Sequence, residues 1–163
     1  MYTLSLNDSA LNFKTLEQEI YKIVCNIGCN VFKEILEVID RRLMATRDVD
    51  AYRHKGKKKT HIHTIMGTID FKRRVYRHQN ENGKFGYIYL LDEYLEKETV
   101  GYISTNLAEK IVERVLEESY RKATQAMGST TNANLSHTTV WNVVQKVGLK
   151  LKEQDQHLVD KYE

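Results

Sequence analysis

Three features of this 163-residue chain point to an α+β architecture: a long N-terminal amphipathic helix, a small antiparallel three-stranded sheet and a C-terminal helix-turn-helix-like helical unit. Apolar residues return at mostly three- and four-residue steps from Thr15 to about Thr46, the period of a helix with one apolar side. Between Thr60 and Leu91, short runs rich in β-branched and aromatic residues are separated by glycine turns, as in strands. From Ser119 to Lys152 there is no Asp or Glu, and helix start and stop signals divide the stretch in two. The organisation expected is residues 1–47 as the long helix, 48–102 as a basic β-hairpin and sheet region, and 103–163 as a helix-turn-helix-like DNA-binding region.

Met1 to Asn12 is polar and expected to be extended or frayed. The first helix carries Leu16, Ile20, Ile23, Ile27, Val31, Ile35, Val38 and Leu43, contains no proline and ends near Arg47. Its stripe is longer than a small domain easily covers, so the segment from Leu16 to Leu43 either pairs with a second copy, as in a coiled coil, or folds back on its own chain. Cys25 and Cys29 stand four residues apart, a spacing that cannot close a bridge along one helix without distortion. They read as reduced packing residues of a cytoplasmic protein. No run of eighteen apolar residues occurs, and MYTLSLNDSALNFK lacks the basic-then-apolar order of a signal peptide, so no membrane partner is expected.

Asp48 to Lys59, DVDAYRHKGKKK, reads as a linker or loop with a charge run, a flexible lysine arm. Thr60 to Met66 and Thr68 to Tyr76 read as strands around a Met66-Gly67 turn. Ile69, Phe71 and Val75 lie on one side of the second strand, with Asp70, Lys72, Arg74 and Tyr76 on the other. Asn82-Gly83 marks the next turn and Tyr87 to Leu91 a third strand. His61 and His63 share a strand face, but no cysteine or acid with a known metal spacing accompanies them. They are read as polar or phosphate-facing, and no metal site is expected.

Asp92 to Glu118 is acidic. Asn106 and Glu109 resemble a capping pair opening a helix with Leu107, Ile111, Val115 and Leu116 on its apolar side. Tyr120 to Met127 is the supporting helix of the final pair, ended by Gly128. Ser136 is the N-cap of the last helix, which is expected to run to about Gly148. Val140, Val143, Val144 and Val147 form its inner face and Thr138, Asn142 and Gln145 its outer one, with Thr139 and Lys146 at the rim. Seven residues, Ser129 to Leu135, separate the two helices, more than a compact helix-turn-helix uses. The tail from Glu153 is polar and reads as a connection.

The formal net charge of +3 hides a division. Ala51 to His78 carries nine Lys or Arg against Asp70 alone, for +8, and Ser119 to Lys152 carries +5, which leaves −10 for the rest. Two basic blocks in an acidic frame suit a polyanion, here double-stranded DNA. Base edges would be read by Thr138, Asn142 and Gln145. Phosphates would be met by Arg53, Lys55, Lys57, Lys58, Lys59, Lys72, Arg73, Arg74, Arg77, Arg121, Lys122, Ser136 and Lys146. Asp92, Glu93, Asp155 and Asp160 are not framed by the apolar strand that presents catalytic carboxylates, so no enzymatic centre is expected.

The segments LNFKTLEQEIYKIV, RDVDAYRHKGKKKTHIHTIMGTIDFKRRVYR, YIYLLDEYL, SYRKATQAM and LSHTTVWNVVQKVG cover nearly the whole chain in order. In them the chain resembles the N-terminal part of the Lre-type insertion-sequence transposases, a family similar to the Mutator-like transposases and long catalogued as an uncharacterised protein family. The resemblance implies a DNA-binding region that recognises transposon ends, in a nucleoid-associated protein. It also implies a separate ribonuclease-H-like core, with three carboxylates and divalent metal, beginning after this chain stops. The chain is then a truncated reading frame or fragment without a cofactor of its own. The alternative is a protein-interaction and dimerisation fragment or a stand-alone DNA-binding regulator.

Overall fold

The computed structural model describes residues 12–80, 82–95, 99–132 and 135–162, so the expectation for residues 1–11 lies outside it. The first helix, α1, spans Phe13–Thr46. It opens on a capping box in which Asn12 Oδ1 accepts from the Thr15 amide at 3.0 Å and Thr15 Oγ1 from the Asn12 amide at 3.1 Å. It stops where Arg47 turns extended, and the Arg47 side chain folds back to donate to the Met44 and Tyr52 carbonyls.

Two long strands follow, β1 (Arg53–Thr64) and β2 (Gly67–Gln79), paired antiparallel along most of their length. Gly67, with φ 135°, turns the chain between them, a backbone setting open to glycine and strained for other residues. A tight turn then leads to β3 (Phe85–Ile88), which pairs with the end of β2. In that turn Gly83 has φ 74°, and Asn80 Oδ1 accepts from the Lys84 amide at 2.9 Å. The short helix α2 (Leu90–Tyr94) and two-residue strands β4 (Thr99–Val100) and β5 (Ile103–Ser104) complete this part. Helices α3 (Thr105–Glu117), α4 (Tyr120–Thr130) and α5 (His137–Tyr162) end the chain.

The α+β class stands, but the sheet differs from the expected antiparallel three strands. Among the described residues it has five, in the order β3-β2-β1-β5-β4, and it is mixed because β5 pairs parallel to β1 at His63 and Ile103. Strands as short as β4 and β5 carry no periodicity to read; they exist because the His63 amide finds the Tyr102 carbonyl at 2.8 Å. The lysine-rich stretch is likewise not a linker: β1 begins at Arg53 and takes Lys57, Lys58 and Lys59 into the ladder. Pairing with β2 overrides the weak strand preference of lysine, and a register shift between His54 and Lys57 absorbs Gly56 at φ 118°. The third strand is Phe85–Ile88 rather than Tyr87 to Leu91, because the chain turns into α2 at Leu90.

Helix boundaries shift for similar reasons. Ser104 caps α3, its Oγ accepting from the Leu107 amide at 3.3 Å, two residues before the expected Asn106. Leu116 is exposed, and Ala108 joins the core in its place. Neither Gly128 nor Gly148 ends its helix; α4 continues to Thr130 and α5 to Tyr162. A single glycine costs a helix only about 1 kcal/mol, which Leu149, Lys150, Leu151 and Lys152 as good helix formers offset.

Among the described residues, two buried clusters hold the fold. In one, Leu36 of α1 packs on Ile69 and Phe71 of β2 and Leu91 of α2, with Cys29, Ile39, Leu43 and Ile62 around them. In the other, α3, α4 and α5 share Leu107, Ala108, Ile111, Met127, Leu135, Val140 and Val143, joined by Ile103 from β5 and flanked by Ile65. The valine face of α5 is therefore its inner face. Helix α1 runs alongside β2: Gly28 abuts Met66 at the hairpin turn, where a Cβ would sit 2.7 Å from the sulfur, Asp40 meets Arg74, and the Tyr76 hydroxyl lies 3.6 Å from Met44 Sδ.

Candidate nucleic-acid interface

In an antiparallel ladder, directly opposed residues share a face and their side chains touch. The β1–β2 register therefore decides what the basic residues meet, and it sets like charges against each other four times. Arg53 lies opposite Arg77, Lys57 opposite Arg74, Lys58 opposite Arg73 and Lys59 opposite Lys72. Opposed like charges are destabilising unless something neutralises them.

Two of the four pairs are relieved inside the fold. Arg74 makes an ion pair with Asp40 of α1, a carboxylate only 2% exposed, and the Arg74 amide donates to the same carboxylate at 3.1 Å. Arg73 pairs with Asp92 of α2 and lies over the Tyr89 ring, 3.9 Å from its centroid. Both guanidiniums are largely buried, so Arg73 and Arg74, expected on phosphate, are structural cations instead. The part played by Asp40 and Asp92 escapes a reading of the sequence, although Asp40 carries a signal: a carboxylate four residues after Leu36 on an apolar helix line demands a partner.

The other two pairs have no such relief. Among the described residues no acid lies within ion-pair distance of Lys59, Lys72, Arg53 or Arg77; Arg77 is held flat over Phe85, 3.6 Å from the ring centroid. Lys55, Lys57, Lys58, Lys59 and Lys72 are all exposed. Lys57, Lys59 and Lys72 share their face with Arg74, which Asp40 neutralises, and with the opposed pair His61 and Asp70. His61 stacks on exposed Tyr102 at 4.8 Å, and His63 meets Thr68 Oγ1 through Nδ1 at 2.9 Å. Partial burial, then the neighbouring His61, lower the pKa of His63, while Asp70 opposes them. His54 and His78 belong elsewhere, packed against Tyr76 and Tyr52 respectively.

The second basic surface is on the last helices. Ser136 caps α5: its Oγ accepts from the Thr139 amide at 3.1 Å and its carbonyl from the Val140 amide at 3.1 Å. Thr138, Asn142 and Gln145 are exposed, as is Lys146, whose ammonium reaches the Gly101 turn between β4 and β5. Trp141 is about half exposed beside them. Arg121 and Lys122 are exposed in the first turn of α4, which contains no acid. Cations at a helix N-terminus face unpaired amides of the same sign, an end that favours an anion.

Six residues, 131–136, lie between α4 and α5, so the connection is longer than in a compact helix-turn-helix. Cys25 is buried and Cys29 half-buried, both as free thiols, and burial followed by the charge of Cys25 pushes the Cys29 thiol up. Among the described residues no helix is long and apolar enough to cross a membrane.

The sequence profile of the uncharacterised protein family UPF0236 matches residues 6–162. UPF0236 protein TTE2489 of Caldanaerobacter subterraneus subsp. tengcongensis is 27% identical over 144 residues, which are 88% of this chain and 30% of that protein. UPF0236 protein TTE0402 of the same organism is also 27% identical over 144 residues, 88% of this chain and 28% of its own length. The chain thus spans less than a third of these curated relatives. No solved structure matches.

Proposed function

The chain belongs to the uncharacterised protein family UPF0236, and on that premise we propose that it is a double-stranded-DNA-binding unit, the recognition region of an Lre-type insertion-sequence transposase. One observation carries the reading: Lys59 directly opposes Lys72 on the exposed face that also holds Lys57, with no acid of the described residues within ion-pair distance of either. Lysines on a strand with an open outer side also discourage edge-to-edge aggregation, which accounts for those of β1, whose register with β5 holds only at His63. That role does not call for a second lysine, Lys72, directly opposite the first, a placement that costs repulsion. A phosphate backbone laid on this face would relieve the repulsion and release its counterions.

In this reading Lys55, Lys57, Lys59, Lys72, Arg121, Lys122 and Lys146 position the duplex, and Thr138, Asn142 and Gln145 of α5 meet base edges. We propose likewise that any cutting and joining of DNA, with carboxylates and divalent metal, would be carried outside the 144 matched residues, which are 30% of that relative.

The test is a salt titration of duplex binding followed by fluorescence anisotropy. Charge reversal of both Lys59 and Lys72 to Glu is expected to weaken binding by about one to two orders of magnitude at low salt on any sequence. It should also reduce the slope of log K against log salt by about 0.9 for each phosphate no longer neutralised. Asn142→Ala is expected to leave that slope unchanged and to narrow the gap between preferred and random duplexes. Wild-type affinity in the double reversal, or no duplex binding by the wild type at low salt, sinks the proposal.

A further inference from the structure

Helix α1 has two apolar sides, and the sheet uses only one. Cys25, Leu36 and Asp40 are buried on the sheet side, with Cys29 and Leu43 packed beside them. On the far side Ile20, Val24, Ile27, Val31, Ile35 and Val38 are each between 41% and 59% exposed. These six recur at steps of four, three, four, four and three residues, the spacing that keeps a seam facing a partner helix. Most of the helix's apolar stripe therefore faces away from its own fold.

A run of six branched aliphatic residues along about 27 Å of helix is more than isolated surface apolar residues explain. Charge at its ends identifies what covers it. Glu17 bounds the stripe at its N-terminal end and Arg42 at its C-terminal end, both exposed and on the same side of the helix as the stripe. Laid antiparallel on an identical helix so that Ile20 faces Val38, Ile27 faces Val31 and Val24 faces Ile35, each Glu17 comes opposite the Arg42 of the other copy. A parallel arrangement would instead set Glu17 against Glu17 and Arg42 against Arg42.

We infer that α1 is the interface of a two-fold symmetric dimer of this chain, an antiparallel helix pair sealed at both ends by Glu17 of one copy and Arg42 of the other. The interface is isologous, since one patch meets itself, and closes without leaving an open end. It leaves the basic ladder of each copy free, because β2 lies on the opposite side of α1 from the stripe. The inference does not rest on DNA binding.

Sedimentation of the full 163-residue chain at micromolar concentration tests it. The expected mass is about twice the 19.1 kDa of one chain, and Val31→Glu is expected to return it to one while circular dichroism shows the helix content retained. Glu17→Arg alone and Arg42→Glu alone should each raise the dissociation constant about tenfold by opposing like charges, and the two together should restore it. A monomeric wild type overturns the inference, as expected if the rest of a longer chain covers this face. A dimer indifferent to Val31→Glu, or a double reversal no tighter than the single ones, overturns it as well.

Discussion

Asp40 occupies a position where the helix line otherwise carries Leu36 and Leu43, and it is tolerated because Arg74 supplies both a guanidinium and a backbone amide. Removing one member of a buried ion pair strands the other, so Asp40→Ala is expected to lower stability by about 3–5 kcal/mol in urea unfolding. Replacing both, with Leu at Asp40 and Met at Arg74, should recover most of that stability. His63 gives the residue scale a pH dependence. Its pKa is held down chiefly by burial and then by His61, so the folded state binds protons less readily than the unfolded chain. Its contribution is intact above the ordinary histidine value of about 6.5 and is lost as pH falls from there through the lower folded value. Thermal unfolding should therefore shift downward on that acid side, and His63→Gln, which can still bond Thr68, should flatten the shift; an unchanged slope counts against the assignment. The cations themselves are legible in the sequence. Which of them the fold neutralises is not, because Asp40 and Asp92 lie 34 and 19 residues from the arginines they pair with.

At the scale of elements, long periodic segments announce themselves and the ones made by pairing do not. The valine spacing places Val140, Val143, Val144 and Val147 on the core side of α5, and Ser136 marks its start. The lysines of β1 hide a strand because nothing local favours one there; Arg53 to Lys59 is extended by its ladder to β2. The stripe of α1 is legible as apolar, but periodicity gives a helix its faces without saying which one meets the sheet. Gly148 resembles a stop signal, yet it lies within α5, is not among the glycines with positive φ, and has open space around the site of a Cβ. Gly148→Ala is therefore expected to stabilise the protein by about 0.5–1 kcal/mol in denaturant unfolding. A destabilisation of similar size would mean that glycine caps the helix in a left-handed conformation after all.

Over the whole molecule, the β1–β2 hairpin links the two buried clusters, with Ile62 packed against one and Ile65 against the other. A cavity of about 570 Å³ lies between them, lined by Leu36, Ile62, Ile65, Leu91 and Tyr102 among others. Shared strands make the clusters one cooperative unit. Leu36→Ala, at the α1 cluster, is expected to cost about 2–5 kcal/mol, and the fluorescence of Trp141 on α5 should report the same shifted transition as far-ultraviolet dichroism. Separate transitions for the two probes would divide the molecule in two. The close seat of Met66 on Gly28 has a consequence of its own. A thioether is open to peroxide, and the sulfoxide it forms is polar and larger. The sulfur already stands where a Cβ on Gly28 would be, so an oxygen added to it must be taken up by the thioether swinging off α1, which would exchange an apolar contact at the hairpin turn for a polar one.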